Sequence, residues 1–126
     1  MDINILAEHV EIHETPLEKV TMKDSSINIE FDDVNENRWE IEFSPFQGLN
    51  ITTIDCIDTS KFLKKYGRVP HLFEVIDSKW IEKLKKRLIK RGRETDFVDK
   101  AHHYILAFQD NIVEVIAWDN FRFKKL

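Results

Sequence analysis

Apolar and polar residues alternate with a period of two along two neighbouring segments, 27–32 and 38–43. The apolar positions are Ile27, Ile29, Phe31, Trp39, Ile41 and Phe43. Alternation of this kind is typical of half-buried β-strands, and the segment between them, 33–37, is rich in turn-forming Asp and Asn. The two segments are therefore predicted to form an antiparallel hairpin in which Phe31 lies opposite Trp39.

The polar face of this predicted hairpin is strongly acidic. It carries Asn28, Glu30, Asp32, Arg38, Glu40 and Glu42. In the predicted register Glu30 faces Glu40, and like charges that face each other across a strand pair destabilise a sheet. Solvent could screen these charges, basic side chains from elsewhere in the chain could neutralise them, or a basic protein partner could dock there. The candidate partner-binding residues are Glu30, Asp32, Glu40 and Glu42.

Further strands are predicted on both sides of the hairpin. Residues 49–57 are rich in β-branched side chains and predict a third strand beside it. Its apolar pattern changes phase near Thr52, which predicts either a bulge or a strand that is buried on both faces. Cys56 lies in this apolar run and is expected to be a buried, structural thiol. Residues 17–25 are compatible with either an edge strand or a loop. Shorter strand pieces are predicted at 3–5, 10–12 and 72–76.

Two apolar runs near the end of the chain, 102–109 and 112–118, predict a second hairpin. The dipeptide between them, Asp-Asn at 110–111, favours a tight two-residue turn with positive φ. A turn at that position makes His102 and Asp119 direct cross-strand neighbours, which could form an ion pair. Both faces of this hairpin are apolar, so we expect it to lie centrally in a sheet that is covered on both sides.

Residues 78–91 have the clearest helical pattern in the chain. The apolar stripe, with spacings of three and four, consists of Trp80, Ile81, Leu84 and Leu88. Asp77 or Ser78 can cap the N-terminus of this helix, and Gly92 is a typical residue after its C-terminus. We expect Trp80, Leu84 and Leu88 to be buried against the sheet.

These elements together predict one α+β domain over residues 1–126. The expected architecture is a twisted, mainly antiparallel sheet of six to eight strands, with one principal helix (about 78–91) packed on it. A chain of 126 residues can bury one core but not two independent ones. No segment approaches the 18 consecutive apolar residues that a membrane span requires, so no membrane association is predicted.

Charge is distributed unevenly along the chain. Residues 1–60 have a net charge of −11 and residues 61–126 a net charge of +7, which together give −4. The basic residues that recur at helical spacing in the predicted helix are Lys79, Lys83, Lys86, Lys90 and Arg93. They could form a solvated helix face, a protein contact or a nucleic-acid contact. Nucleic acid is disfavoured because the chain is acidic overall and has no recognisable nucleic-acid-binding motif.

Catalytic and metal-binding patterns are not recognisable in this sequence. Nucleophile elbows, phosphate-binding loops, dinucleotide fingerprints and CxxC pairs are absent. His9 and His13 are four residues apart, but they are not part of an HExxH motif. His102 and His103 are adjacent, so on a strand they point to opposite faces. No catalytic residue, metal or cofactor is therefore predicted. The single cysteine and the lack of a signal-peptide pattern predict a reducing, cytoplasmic setting.

Several segments resemble small α+β proteins of Gram-positive bacteria, some of which are immunity proteins encoded beside polymorphic toxins. The segments that carry the resemblance are 39–43 (WEIEF), 53–56 (TIDC), 72–78 (LFEVIDS), 103–106 (HYIL) and 113–117 (VEVIA). The resemblance implies a non-enzymatic protein that binds another protein, for instance an immunity-type inhibitor of a toxin. Two alternatives stay open: a nucleic-acid-associated protein that uses the basic helix 79–93, and a small enzyme with an unrecognised site.

Overall fold

The computed structural model describes residues 2–14, 17–56 and 69–126. Its strands are β1 (Asp2–Ile5), β2 (Lys19–Lys23), β3 (Ser26–Asp32), β4 (Arg38–Phe43), β5 (Phe46–Thr53), β6 (Phe73–Ile76), β7 (Ala101–Ala107), β8 (Asn111–Trp118) and β9 (Arg122–Lys125). Its α-helices are α1 (Lys79–Lys90) and the short α2 (Asp96–Asp99), and a 3₁₀ turn, Ile54–Cys56, follows β5. Within the described residues, no helix is long and apolar enough to cross a membrane.

The strands form two antiparallel sheets. The larger sheet has the order β1-β6-β7-β8-β5, and the smaller has the order β2-β3-β4-β9. Within the described residues, the α+β class, the antiparallel pairing and the one principal helix are confirmed. The strands are divided between two sheets of five and four, where the sequence predicts one sheet of six to eight.

The prediction that β5 is a third strand beside the first hairpin is wrong. Strand β5 pairs with β8 in the larger sheet, and its register shift lies between Phe46 and Gly48 rather than near Thr52. The edge of β4 that a third strand would occupy is taken by β9 from the end of the chain. The predicted burial of Cys56 is also wrong, because the chain has already left the sheet there and the thiol is exposed. Residue 57, where the predicted strand ends, lies outside the described residues.

The main hydrophobic core lies between the two sheets. The β3–β4 hairpin has the predicted register, with Phe31 opposite Trp39 and Ile29 opposite Ile41. The side chains that its apolar face buries completely are Ile27, Ile29, Phe31, Ile41 and Phe43. They pack against the facing side of the β7–β8 hairpin, where the rings of Phe43 and Tyr104 lie 5.2 Å apart. Alternation with a period of two thus determines which face of each hairpin enters the core.

The other face of the larger sheet has a second apolar cluster and carries helix α1. The buried members of this cluster are Val69, Phe73, Val75, Ile105, Ala107 and Ile112. Strands β7 and β8 lie inside the sheet and are apolar on both faces, as the sequence predicts. The expectation that Trp80, Leu84 and Leu88 are buried is wrong, since all three are only half-buried. The reason is that α1 packs mainly along one strand, β7, and leaves its flanks open to solvent.

The turn of the β7–β8 hairpin lies one residue earlier than predicted. The N–H of Phe108 donates to the carbonyl of Asn111 at 2.9 Å, so Gln109 and Asp110 form the turn, and none of the turn residues has positive φ. The register therefore shifts by two residues, which keeps every side chain on its predicted face. Tertiary contacts explain the difference: the Asp110 carbonyl accepts from Ile54 N at 2.9 Å, and Asn111 Nδ2 donates to Glu18 at 3.0 Å.

The predicted pairing of His102 with Asp119 is wrong for the same reason. In the observed register His102 lies opposite Ala117. The imidazole instead contacts the carboxylate of Glu74 on the neighbouring strand β6. His102 thus has an acidic partner, but this partner lies on β6 and not on β8, the strand for which it was predicted.

Candidate functional site

The acidic residues of the first hairpin lie on the outer face of the smaller sheet, where basic residues alternate with them. The observed register pairs Glu30 with Lys19, Asp32 with Arg38, Glu40 with Lys124 and Glu42 with Arg122. The flanking strands β2 and β9 supply three of these four cations. A face that looks acidic in the hairpin alone thus becomes a face of alternating charge in the complete sheet.

Two of these carboxylates form ion pairs. Arg38 lies 3.2 Å from Asp32 and 3.9 Å from Glu30, and the ammonium of Lys19 lies 4.0 Å from the other oxygen of Glu30. These contacts favour the explanation that the charge is neutralised within the chain. Docking of a basic protein on Glu30, Asp32, Glu40 and Glu42 stays a prediction.

The basic residues of α1 have a different environment. Lys79, Lys83, Lys86, Lys90 and Arg93, here called the basic surface, are all exposed; the four lysines lie on α1, and Arg93 follows its C-terminus. Among the described residues, no carboxylate lies within 4.0 Å of any of the five. The ion pair of this helix, Lys85 with Asp99 at 3.1 Å, lies on its flank toward α2. The basic surface therefore keeps its positive charge facing solvent.

The junction between β6 and α1 brings several polar groups together. Strand β6 ends at Ile76, and Asp77 has a positive φ of 54° that turns the chain into the helix. Of the two predicted candidates, Asp77 and Ser78, the N-cap is Ser78, and its Oγ accepts a hydrogen bond from Ile81 N at 3.2 Å. The bend thus places a serine hydroxyl at the start of a helix and above the outer face of the larger sheet.

Ser78 begins a chain of hydrogen bonds that crosses three strands. Its Oγ lies 2.7 Å from His103 Nδ1, and His103 Nε2 lies 2.9 Å from Glu114 Oε1. Asn50 Nδ2 on β5 donates to the second oxygen of Glu114 at 3.2 Å. Ser78 and His103 are almost completely buried, with 6% and 7% of their surface exposed. A hydroxyl, an imidazole and a carboxylate are thereby held in series.

Sequence reasoning missed this arrangement because of the register of the second hairpin. The predicted register sets Glu114 opposite Ala107, four residues along the strand from His103. The observed register sets Glu114 opposite Ile105, which makes it a diagonal neighbour of His103. The available signals were the serine at the predicted N-cap and a lone glutamate in an otherwise apolar strand.

Two cavities adjoin the buried serine and histidine. The smaller, about 320 Å³, is lined by Ser78 and by five charged or titratable side chains besides His103, among them Glu74 and Lys85. The larger, about 650 Å³, is lined by Asp2, Lys79 and Trp80. Both share His103 and the end of β6 in their walls, so they flank the N-terminus of α1 on two sides.

The two adjacent histidines point to opposite faces of β7, as predicted. His103 faces α1, whereas His102 lies with Glu74 and stacks 5.9 Å from the ring of Tyr104. Burial, together with the negative charges of Glu74 and Asp119, raises the pKa of the Tyr104 phenol well above its usual range. Tyr104 is therefore neutral at ordinary pH and belongs to the core.

The remaining titratable groups of residues 2–14, 17–56 and 69–126 suggest no metal centre. His9 packs edge-on against the rings of Trp39 and Phe123, and His71 Nδ1 lies 2.9 Å from the carbonyl of Val10. In the part of the chain that the structure describes, no group of three His, Cys, Asp or Glu side chains could hold a metal ion.

Comparison with protein-family models, with curated proteins and with solved structures finds no match to this chain. The resemblance to immunity proteins is therefore neither supported nor contradicted by these comparisons. The basic surface and the junction between β6 and α1 are the two candidate functional features of the described residues.

Proposed function

We propose that the protein is a binding domain for another protein and that α1 makes the contact. The observation that carries this proposal is the contrast between the two charged surfaces. The acidic hairpin face has basic partners from β2 and β9, whereas the basic surface has none among the described residues. Uncompensated charge of one sign on one face steers and orients a partner of the opposite sign. The partner surface that fits the basic surface is acidic.

A protein partner is favoured over a nucleic acid by the apolar and aromatic side chains of α1. Ile89 is 66% exposed and is an i+3 neighbour of Lys86 on the helix. An exposed apolar side chain beside the lysines adds contact area in a protein interface but finds no partner on a phosphate backbone. The aromatic residue of the helix, Trp80, packs against His103 and close to Gly48, so its ring is not free to stack on a base.

The specific form that we propose is an immunity-type inhibitor that acts in the cytoplasm on a toxin. The support is the resemblance of segments such as 39–43 and 113–117 to immunity proteins, together with the single free cysteine. Under this proposal, the toxin contributes an acidic patch that contacts the basic surface.

The test measures binding to the purified products of the genes that flank this coding sequence. A variant with Lys83→Glu and Lys86→Glu reverses two charges of the basic surface. The matched control, Lys23→Glu with Lys125→Glu, makes the same charge change at exposed positions of the smaller sheet. Calorimetric titration should show about a tenfold or greater loss of affinity, about 1.4 kcal/mol, for the helix variant alone. Equal losses in both variants, or none in either, would contradict the proposal.

Nucleic-acid binding provides the second arm of the same experiment. Single-stranded and duplex oligonucleotides of about 20 nucleotides are titrated at physiological salt. We expect no saturable binding to either. Binding that weakens steeply with salt and is lost in the Lys83→Glu, Lys86→Glu variant would replace the protein partner with a nucleic acid.

A further inference from the structure

We propose that Ser78, His103 and Glu114 form an acyl-transfer centre in which Ser78 is the nucleophile. The substrate class is a small ester without an anionic group. This inference does not depend on the proposed binding function, because it concerns the junction between β6 and α1, which shares Lys79 with the basic surface but none of its other residues. It rests on three contacts in series, with distances of 2.7 Å from Ser78 to His103 and 2.9 Å from His103 to Glu114. A nucleophile within hydrogen-bond reach of a base that a third group orients is the signature of an activated serine.

The hydrogen bonds of Glu114 determine the direction in which the protons point. A carboxylate only accepts hydrogen bonds, and Glu114 accepts from Asn50 Nδ2 through one oxygen and contacts His103 Nε2 through the other. The proton of a neutral His103 imidazole therefore lies on Nε2. Nδ1 is then the acceptor, and the Ser78 hydroxyl donates to it. The order carboxylate, imidazole, hydroxyl is that of a Ser-His-Asp triad. In that triad Nε2 of the histidine faces the serine and Nδ1 faces the carboxylate, whereas here the two ring nitrogens have the opposite roles.

The N-terminus of α1 supplies donors next to the reacting oxygen. Ile81 N already donates to Ser78 Oγ at 3.2 Å. The N–H groups of Lys79 and Trp80 have no carbonyl acceptor within the helix, since the first N–H groups of an α-helix never do. Backbone donors that follow a nucleophile at the start of a helix can bind the negative charge that develops on a carbonyl oxygen.

The walls of the two cavities decide the substrate class. Volumes of about 320 and 650 Å³ accept a small molecule and not a polypeptide. The acidic side chains that line them are Asp2, Glu74, Asp77 and Glu82. They outnumber the two lysines in the walls, Lys79 and Lys85, so an anionic ester is repelled. Val75, Ile76 and Trp80 add apolar surface for an alkyl or aryl group.

The reaction proceeds in two balanced steps. Ser78 Oγ bonds to the ester carbonyl carbon as its proton moves to His103 Nδ1, and the alcohol leaves with that proton, which forms acyl-Ser78. Water then attacks the acyl carbon and gives a proton to Nδ1. The bond to Ser78 Oγ breaks, Oγ recovers the proton, and a carboxylic acid is released.

The direct test is covalent labelling of the folded protein with diisopropyl fluorophosphate. Attack by Ser78 on phosphorus releases fluoride and leaves a diisopropylphosphoryl group on the serine. Intact mass should show one adduct per chain, and peptide mapping should place it on Ser78. A folded protein that remains unlabelled at Ser78, or that is labelled equally at exposed serines such as Ser25, overturns the proposal.

Variants separate the nucleophile from the helix cap. Ser78→Asn keeps a side chain that caps helices and removes the nucleophile, so it should fold and take up no label. His103→Gln should lower the labelling rate by about 100-fold or more, the range in which a general base contributes. Ser25→Ala, at an exposed turn, should label like the parent protein. Hydrolysis of p-nitrophenyl acetate should be lost in the first variant and retained in the third; equal rates in all of them would also overturn the proposal.

Discussion

Asp33 shows, at the scale of one residue, how a carboxylate in a turn stabilises the fold through its hydrogen bonds. It is 5% exposed, and its oxygens accept from the backbone N–H groups of Asn35 and Asn37, both at 2.9 Å, and from Trp39 Nε1 at 2.7 Å. Burial raises the pKa of Asp33, but the hydrogen bonds from Trp39, Asn37 and Asn35 outweigh it, so the pKa is lowered overall. The carboxylate joins the turn of the first hairpin to its half-buried tryptophan.

Removing this carboxylate should destabilise the protein in a pH-dependent way. We expect Asp33→Ala to lower the free energy of unfolding by about 2–3 kcal/mol at pH 7, as measured in urea, since hydrogen bonds to charged groups are strong. A lowered folded-state pKa stabilises the fold above the unfolded pKa, near 4, and the contribution disappears as pH falls through the folded value. The difference in the free energy of unfolding between parent and variant should therefore be constant above about pH 5 and become smaller in acid. A difference that does not change down to the acid transition would contradict this role.

At the scale of elements, helix α1 shows that an amphipathic pattern predicts a helix better than it predicts burial. The bounds and the Ser78 cap agree with the sequence to within a residue or two. The depth of its apolar stripe could not be predicted, because it depends on how many strands lie beneath the helix. In the structure α1 packs mainly along β7, and none of its residues is fully buried.

Side-chain truncations on helix α1 and in the core should therefore lower the free energy of unfolding by different amounts. Leu84→Ala should lower the free energy of unfolding by about 1–2 kcal/mol, because a half-buried leucine loses only part of its transfer free energy. Phe43→Ala, at a completely buried site against Tyr104, should cost about 3–5 kcal/mol. Urea denaturation of both variants provides the comparison. Equal losses would mean that α1 is buried more deeply than its exposure indicates.

The second hairpin shows how tertiary contacts override a local turn preference. If Asn111 occupied a tight turn with positive φ, Asn111→Gly would stabilise the hairpin. In the structure Asn111 begins β8 and donates to Glu18 at 3.0 Å. We therefore expect Asn111→Gly to destabilise the protein by about 1 kcal/mol, through the lost hydrogen bond and the added flexibility of the unfolded chain. A higher melting temperature than that of the parent would favour the turn at 110–111.

At the scale of the whole molecule, the sequence predicts which face of a strand is buried better than it predicts which strands pair with each other. Period-two alternation in 27–32 and 38–43 predicts both the core face and the register of that hairpin, because adjacent strands joined by a short turn constrain each other. Strand β9 pairs with β4 across about 80 residues of chain, and no local pattern reports such a contact. The polar chain from Ser78 to Glu114 depends on the pairing of β6 with β7 and on the observed register of the β7–β8 hairpin, and the predicted register had separated His103 from Glu114.

The same long-range pairing determines where the charges of the chain are neutralised. The basic residues that face the acidic hairpin come from β2 and β9, and they leave the basic surface of α1 uncompensated among the described residues. The proposed binding function depends on this division. It predicts that the acidic face serves mainly to hold the smaller sheet together, through contacts such as those of Glu30 with Lys19 and Arg38.

The most direct test of this division is the stability of Glu30→Lys in urea at low salt. The new lysine would face Lys19 and Arg38, which now lie 4.0 and 3.9 Å from the glutamate, and it would gain Glu40 as an acidic cross-strand neighbour. We expect the free energy of unfolding to fall by several tenths to about 1 kcal/mol. Glu8→Lys, the same charge change at an exposed position, should have a smaller effect. A clear gain in stability for Glu30→Lys would mean that the hairpin face is an unneutralised acidic surface and would contradict the division of charge on which the proposed function depends.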